Sequence, residues 1–360
     1  MKIHFIFPSA QYDWPLVNFL RETLPDATFD CGAASGFGRY HYGIQLLAKI
    51  PWLACYAFNS WMARIKQGPL PDYICVGTDI EVIGCLLAQF FSGIKIPIIF
   101  LGFIYTPRKS LLLTKIRWLY FRILLAQITA VICYSKYESD YLPKLFRLKK
   151  TLFVATLFGG NFDVPKDWVA KNEGGPGYVV SAGRSGRDYH LLCDAVRGLP
   201  VELHIICDSS HPLQGLDCPA NVTILRNCYG DKYVEELAGA DMVLLILNND
   251  NLSSGQMVLL NAMALGKLAI ITRTATTMEY GEHLKTCYFV GPDSVEEIRS
   301  AIGICSKPEI RESIGAEAHR YFMENHSLEP YVQSLVKAFE KIVQHNGHGQ
   351  SIAKVDDAKH

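Results

Sequence analysis

The sequence predicts an α/β protein of two tandem Rossmann-like domains with parallel sheets, and three observations carry that expectation. Short apolar runs alternate with stretches of helical spacing along most of the chain, the pattern of parallel strands covered on both faces by helices. The length of 360 residues suits two domains at roughly 150 residues each. The apolar rhythm also breaks over GGNFDVPKDWVAKNEGGPG, where glycine, proline and charge replace it, and then restarts.

Taken in order, strands are expected at 3–7, 73–76, 98–101, 131–134 and 152–155. Helical spacing fills 14–24, 41–66, 80–91, 110–126 and 136–146 between them. The greasiest stretch, 83–105, is divided by Gly93, Lys95 and Pro97, whereas a bilayer helix needs about 20 unbroken apolar residues. It therefore reads as a helix, a turn and a buried strand. After the break, strands follow at 178–182, 203–207, 222–225, 242–247, 268–271 and 287–290, and a last helix over 328–343. The expected organisation is a domain over 1–160, a second over 161–325, a terminal helix over 326–345 and a polar, disordered tail over 346–360.

Composition narrows the function. Apolar residues make up 49% and charged residues 19%, enough to bury substantial cores. The 35 basic and 35 acidic side chains cancel, so nothing suggests coating a nucleic acid. The halves differ, however: 1–150 holds 17 basic and 9 acidic residues, so the first half attracts anions and the second does not. The 11 cysteines include no C-x-x-C pair, which points to reduced thiols used as small hydrophobes in a cytoplasmic protein. The opening MKIHFIFPSAQYDW lacks the long apolar region of a secretory signal.

Ligands of doubly wound sheets bind outside the carboxyl ends of the strands, so the chemistry is sought in the loops there. The first such loop, VSAGRSGRD, brings Gly183, Arg184 and Arg187 to the end of a strand. Glycine lets the backbone approach a ligand, and two guanidinium groups three residues apart can fork onto a diphosphate. A solvated basic turn with Asp188 capping the next helix fits the same residues. The G-x-G-x-x-G dinucleotide spacing is absent. The second loop, NNDNLSSGQ, runs into MVLLNAMALGK, with Ser253 or Ser254 suited to the N-cap and Gly255 leaving free amides at a positive helix terminus. By itself it reads equally as a capped structural helix. Together the two loops give one diphosphate site.

The strand, Gly-Arg loop and helix, followed some seventy residues later by a polar loop and LL-x-AMA-x-GK, resemble the C-terminal domain of GT-B glycosyltransferases, specifically retaining family 4. The resemblance covers most of 178–325 and is one of general topology over 1–157. It implies an interdomain cleft and a last helix crossing back to the N-terminal domain. It also implies a nucleotide-diphosphate sugar, UDP or GDP most readily, as co-substrate and no cofactor; no metal is expected, because no cluster of carboxylates follows a strand in the second half and the arginines already supply positive charge. Two family glutamates fall on Ser253 and Asn261, so both carboxylates are missing. By resemblance the first position contacts the donor sugar and the second the ribose; an amide at Asn261 still bonds hydroxyls, whereas Ser253 means that Asp250 or Gln256 takes over the sugar contact, that the donor differs, or that activity is lost. Met257 lies in the same stretch. The diphosphate contacts map onto Arg184 and Arg187, the base onto Tyr229 beside Cys228, and a second sugar-side loop onto Thr276, Thr277, Glu279 and Tyr280. A packed loop aromatic fits Tyr229 as well.

Acceptor-side candidates follow the first domain's strands: Ser9, Gln11 and Asp13, then Thr78 and Asp79, with Tyr105 further on. Asp13 suits either an orienting base or the N-cap of a helix opening at Trp14-Pro15. Residues 39–66 and 105–125 both mix Arg and Lys with Trp, Tyr and Leu, and 101–150 holds 10 basic against 2 acidic residues. Such segments suit helices lying in an anionic membrane interface, although buried helices with basic edges or a site for a soluble anionic acceptor fit too. The expected activity is transfer of a sugar from a nucleotide-diphosphate donor to a lipid-linked or glycan acceptor at the inner face of the membrane, in cell-surface polysaccharide assembly. An epimerase or hydrolase of the same fold, or a silent nucleotide-sugar-binding scaffold, are the alternatives.

Overall fold

Strands form where four or five consecutive residues are apolar and β-branched, because a strand in a parallel sheet is buried on both faces. In the computed structural model, which describes residues 1–8, 14–31, 44–106, 110–160, 177–248 and 252–356, with the side chains of 44–49 and 347–356 excepted, these runs build two sheets. The chain divides into one unit of Met1–Thr156 with Val332–His360 and another of Leu157–Tyr331.

In the first unit the order along the chain is β1 (Ile3–Phe7), α1 (Pro15–Thr23), β2 (Thr28–Cys31), α2 (Ile44–Gln67), β3 (Tyr73–Val76), α3 (Asp79–Ser92), β4 (Ile98–Leu101), α4 (Leu111–Leu125), β5 (Ala130–Cys133), α5 (Lys136–Phe146) and β6 (Leu152–Ala155). The sheet order is β2-β1-β3-β4-β5-β6, with every pair parallel. Strand β2 escapes the apolar-run criterion because its residues, TFDC, are mostly half-exposed at the sheet edge. Helix α3 opens on a capping box: Thr78 accepts from the Glu81 amide, and the Glu81 carboxylate accepts from the amides of Thr78 (3.1 Å) and Gly77 (2.8 Å). Helix α2 lies hard against α3, since a Cβ at Gly84 would come within 2.3 Å of the Ala54 carbonyl oxygen. Trp61, Ala57 and Val82 are buried in that layer.

The second unit contains β7 (Tyr178–Ala182), α6 (Tyr189–Val196), β8 (Glu202–Ile206), β9 (Val222–Leu225), α7 (Asp231–Gly239), β10 (Val243–Leu245), α8 (Gln256–Ala264), β11 (Ala269–Thr272), β12 (Tyr288–Val290), α9 (Val295–Cys305) and α10 (Pro308–Asn325). Its order, β12-β11-β10-β7-β8-β9, reverses direction between β7 and β10, the switch point at which doubly wound sheets bind ligands. Helix α8 buries eight of its nine residues, which explains why its sequence shows no polar face. Eight of the eleven cysteines are buried thiols, packed as small apolar side chains.

The last helix, α11 (Leu328–Asp356), runs on where the sequence predicts a disordered tail after residue 345. The stretch contains no proline, and Gly347 and Gly349 each cost a helix only about 1 kcal/mol relative to alanine. Beyond Tyr331 this helix belongs to the first unit: the Phe339 ring meets Phe5 edge-on at 5.8 Å, Ser334 and Thr156 share a 2.6 Å hydroxyl bond, and Asn346 donates to the Tyr73 hydroxyl.

Candidate anion site at the second switch point

Loop 183–188 leaves β7 through Gly183 at φ +110° and turns again at Gly186, φ +66°, backbone that side-chain-bearing residues rarely adopt. Main-chain bonds tie it to the end of β10: the Asp188 amide donates to the Ile246 carbonyl (2.9 Å) and the Asn248 amide to the Gly186 carbonyl (2.9 Å). Asp188 itself caps α6 through the Leu191 amide, the structural role expected as one alternative.

Arg187 is 8% exposed. Its Nε donates to the Ala182 carbonyl and Nη1 to the Ser185 carbonyl, both at 2.8 Å, and Nη1 also reaches Ser254 Oγ at 3.4 Å. Burial pushes its pKa below the ordinary guanidinium value, and the ionisable groups around it are Tyr189, Tyr233 and Cys207. Among the described residues no carboxylate pairs with this cation. A charge removed from water is costly unless an opposite charge or several dipoles answer it. Arg184, by contrast, is exposed on the same loop.

The second loop meets the first directly. Ser254 Oγ donates to the Ser185 carbonyl at 2.6 Å, and a Cβ at Gly186 would lie 2.5 Å from that oxygen, so glycine is what allows the contact. The N-cap of α8 is Gly255, at φ +87° with no side-chain cap bond, and not Ser253 or Ser254 as the sequence suggests. The hydroxyl of Ser254 is occupied in joining the loops, and Ser253 is buried. The first turn of α8 carries no acidic residue. Gln256 is buried with its Nε2 lacking a hydrogen-bond partner, and Met257 next to it is exposed. Arg187 Nη1 lies 3.7 Å from where a Cβ of Gly255 would stand, so the buried guanidinium meets the amino end of α8, which has no side-chain cap among the described residues and whose first residue is the buried Gln256; cation and helix terminus both favour an anion.

Other predicted residues divide into those held near this end of the sheet and those engaged elsewhere. Asn261, on α8, donates from Nδ2 to the Tyr233 hydroxyl at 3.1 Å. Tyr229 donates its hydroxyl to Asp208, whose other oxygen accepts from the Asn227 amide at 2.7 Å. Ser210, His211, Leu213, Gln214 and Arg226 line a hollow on the loops after β8 and β9. Sequence reading passed over Asp208, Tyr233, His211 and Arg226; for Asp208 the signal was available, a carboxylate directly after a strand. Glu279 is half-buried in the short turn Thr277–Glu279. Thr277, expected to face the donor, has its hydroxyl buried, donating to the Thr272 carbonyl and accepting from the Thr274 amide, both at 2.8 Å, so it shapes the loop.

In the first unit, Thr78 caps α3 and Asp79 accepts from the Tyr120 hydroxyl at 2.9 Å. Tyr105, expected on the acceptor side, is instead a core residue: it is buried against Phe121 and Phe146. Ser9, Gln11, Asp13 and Asp250 lie outside the described residues. The sequence reading missed Glu81, which sits just after β3 at the first sheet's own switch point between β1 and β3; burial pushes its carboxyl up to about 7. Among the described residues no group of three or more His, Cys, Asp or Glu is placed to hold a metal ion, and no helix is long and apolar enough to cross a membrane.

Neither a protein-family model nor a curated protein matches the sequence. Solved structures match along nearly its whole length. HepE from Anabaena, crystallised with UDP, is 15% identical over 95% of this chain and 100% of its own, with a TM-score of 0.66. Sucrose-phosphate synthase from Thermosynechococcus elongatus is 12% identical over 96% of this chain and 100% of its own, at 0.70. WaaB, a lipopolysaccharide outer core galactosyltransferase, is 12% identical over 95% and 99%, at 0.61. The chain has the GT-B fold.

Proposed function

We propose that this protein is a glycosyltransferase that moves a sugar from a nucleotide-diphosphate donor, UDP- or GDP-linked, to a lipid-linked or membrane-associated glycan in cell-surface polysaccharide assembly, with retention of configuration. The observation that carries the reading is the cation of Arg187, buried with no carboxylate partner among the described residues, beside the amino end of α8, which opens on Gly255 and the buried Gln256 amide. A diphosphate supplies the missing negative charge. The fold shared with HepE, which was crystallised with UDP and with UDP-glucose, supports a nucleotide sugar as the ligand.

The chemistry follows from where positive charge is fixed. As the bond between the sugar's anomeric carbon and the phosphate oxygen breaks, its electron pair goes to the diphosphate. Arg187, Arg184 and the α8 amides stabilise that charge without reorganising. The acceptor hydroxyl bonds to the anomeric carbon from the face the phosphate is leaving, and its proton passes to the leaving phosphate oxygen. No protein nucleophile is needed, which suits positions 253 and 261 being Ser and Asn. Removing one preorganised donor of this kind typically slows turnover about 10²- to 10³-fold.

The test is thermal stability against UDP, GDP, ADP and dTDP, since a ligand at one hundred times its Kd stabilises by about 2.7 kcal/mol. Gln256→Glu is the decisive variant. A carboxylate in the first turn of a helix is favourable to the fold, yet it places negative charge where the diphosphate should lie. The expected result is an undiminished melting temperature with no nucleotide shift; a full shift would remove α8 from the site. Donor binding without transfer to any membrane extract would instead identify a silent nucleotide-sugar scaffold.

A further inference from the structure

Helix α4, LLLTKIRWLYFRILL, is oriented the wrong way round for an ordinary surface helix. It turns Phe121, Leu124 and Leu125 into the core but leaves Leu112 67%, Ile116 57%, Leu119 49% and Ile123 58% exposed. These positions are spaced by four, three and four residues, so they form one stripe along the helix. Exposed Leu111 and Leu113 widen it at the amino end. Isolated surface leucines need no explanation, whereas a continuous stripe marks a surface that something covers.

Charge says what covers it. Lys115 and Arg122 are exposed on the same side of the helix, three residues after Leu112 and Leu119, and α4 contains no Asp or Glu, not even in the first turn where helices favour them. The sequence just before it adds Arg108 and Lys109. A second copy of this chain seated on the stripe would set these cations against their own kind. A helix of 15 residues spans only ~22 Å, short of the ~30 Å hydrocarbon core, so it suits a bilayer surface and not its interior. Helix α2, whose sequence is equally rich in Trp, Tyr and basic residues, buries Leu53, Ala57 and Trp61 and is covered by α3.

We infer that the outward face of α4 is a docking surface for an anionic phospholipid bilayer, with the leucines and isoleucines entering the acyl boundary and Lys115 and Arg122 meeting the headgroups. This deepens the transferase reading, on which its sense rests, by naming the element that brings the enzyme to a lipid-carried acceptor; the contact itself is measured without any donor.

The full chain is sedimented with phosphatidylcholine vesicles, with and without phosphatidylglycerol, beside the variants Leu112→Ser/Ile116→Ser/Leu119→Ser/Ile123→Ser and Lys115→Glu/Arg122→Glu. All substituted side chains are exposed, and the melting temperature monitors folding in each. The expected result is binding to the anionic vesicles alone, at least about tenfold weaker in either variant and weakened in the parent by salt. Equal binding by parent and variants, or no binding to phosphatidylglycerol vesicles, overturns the inference. So does a dimer or a complex with an acidic protein that the serine variant abolishes while vesicle binding is absent. A nucleotide shift without vesicle binding sinks the docking surface alone; vesicle binding without a nucleotide shift sinks the donor reading alone.

Discussion

Arg187 is a buried cation whose partners among the described residues, Ala182 O, Ser185 O and Ser254 Oγ, are all uncharged, and the two loops are joined around it. Gly186→Ala tests that construction. The new Cβ would crowd Ser254 Oγ at 2.5 Å in a backbone at φ +66°. A loss of about 1–3 kcal/mol in urea denaturation is expected for a non-glycine residue held there, with weakened nucleotide binding as the loops part. His4 gives a second residue-scale prediction. It is buried between Thr28 and Ser60 beside Asp30, and burial lowers its pKa from 6.5 to about 4. The unfolded chain takes up a proton below pH 6.5 and the folded one only near pH 4, so stability from this site is complete above pH 6.5 and lost as pH falls to 4. Glu81 has the opposite sign: raised from 4.5 to about 7, it costs stability as pH climbs through that window. The two windows overlap and largely cancel in the parent, so in melting curves from pH 4 to 7.5 His4→Asn should lose stability relative to the parent as pH rises from 4 to 6.5, and Glu81→Gln should gain it as pH rises from 4.5 to 7.

Elements show where local pattern suffices and where it fails. The apolar runs of β1, β3, β4 and β7 were legible because a strand buried on both faces has to be apolar throughout. The edge strand β2 was not, because half-exposed TFDC carries no such constraint. Serine before an apolar run normally signals an N-cap, yet at α8 the loop contact with Ser185 claims Ser254 and leaves Gly255 at the cap. Helices α2 and α4 were indistinguishable by composition; only packing against α3 separates a covered helix from an uncovered one. At the junction, the Phe158 amide donates to the Tyr280 hydroxyl, and the Tyr280 ring stacks on buried His326, whose Nδ1 contacts the Phe158 carbonyl oxygen at 3.0 Å. The loop after β11 is thus tied to residues near both ends of the second unit's stretch of chain. For α11, Phe339→Ala should destabilise the first unit by about 3–5 kcal/mol, the usual cost of emptying a buried aromatic site. Denaturation of the intact protein measures it, and a change under 1 kcal/mol would show that the helix is dispensable to that unit.

Across the whole molecule, the sequence by itself determined the two parallel-sheet α/β units, most strand positions and the residue types of the candidate anion site, because alternation of apolar runs and helical spacing is a local property of the chain. It also held the excess of positive charge in the first half. What tertiary structure alone decided was contact between residues far apart in sequence. Ser254 sits 69 residues beyond Ser185, and only the strand order, with β10 laid beside β7, brings the two loops together and leaves Arg187 buried with no carboxylate partner among the described residues. The same holds for Tyr105 and Thr277, polar residues after strands that packing drew into the interior, and for the exposed stripe of α4. No local pattern records which face of a helix a distant neighbour will cover, since burial depends on the fold as a whole.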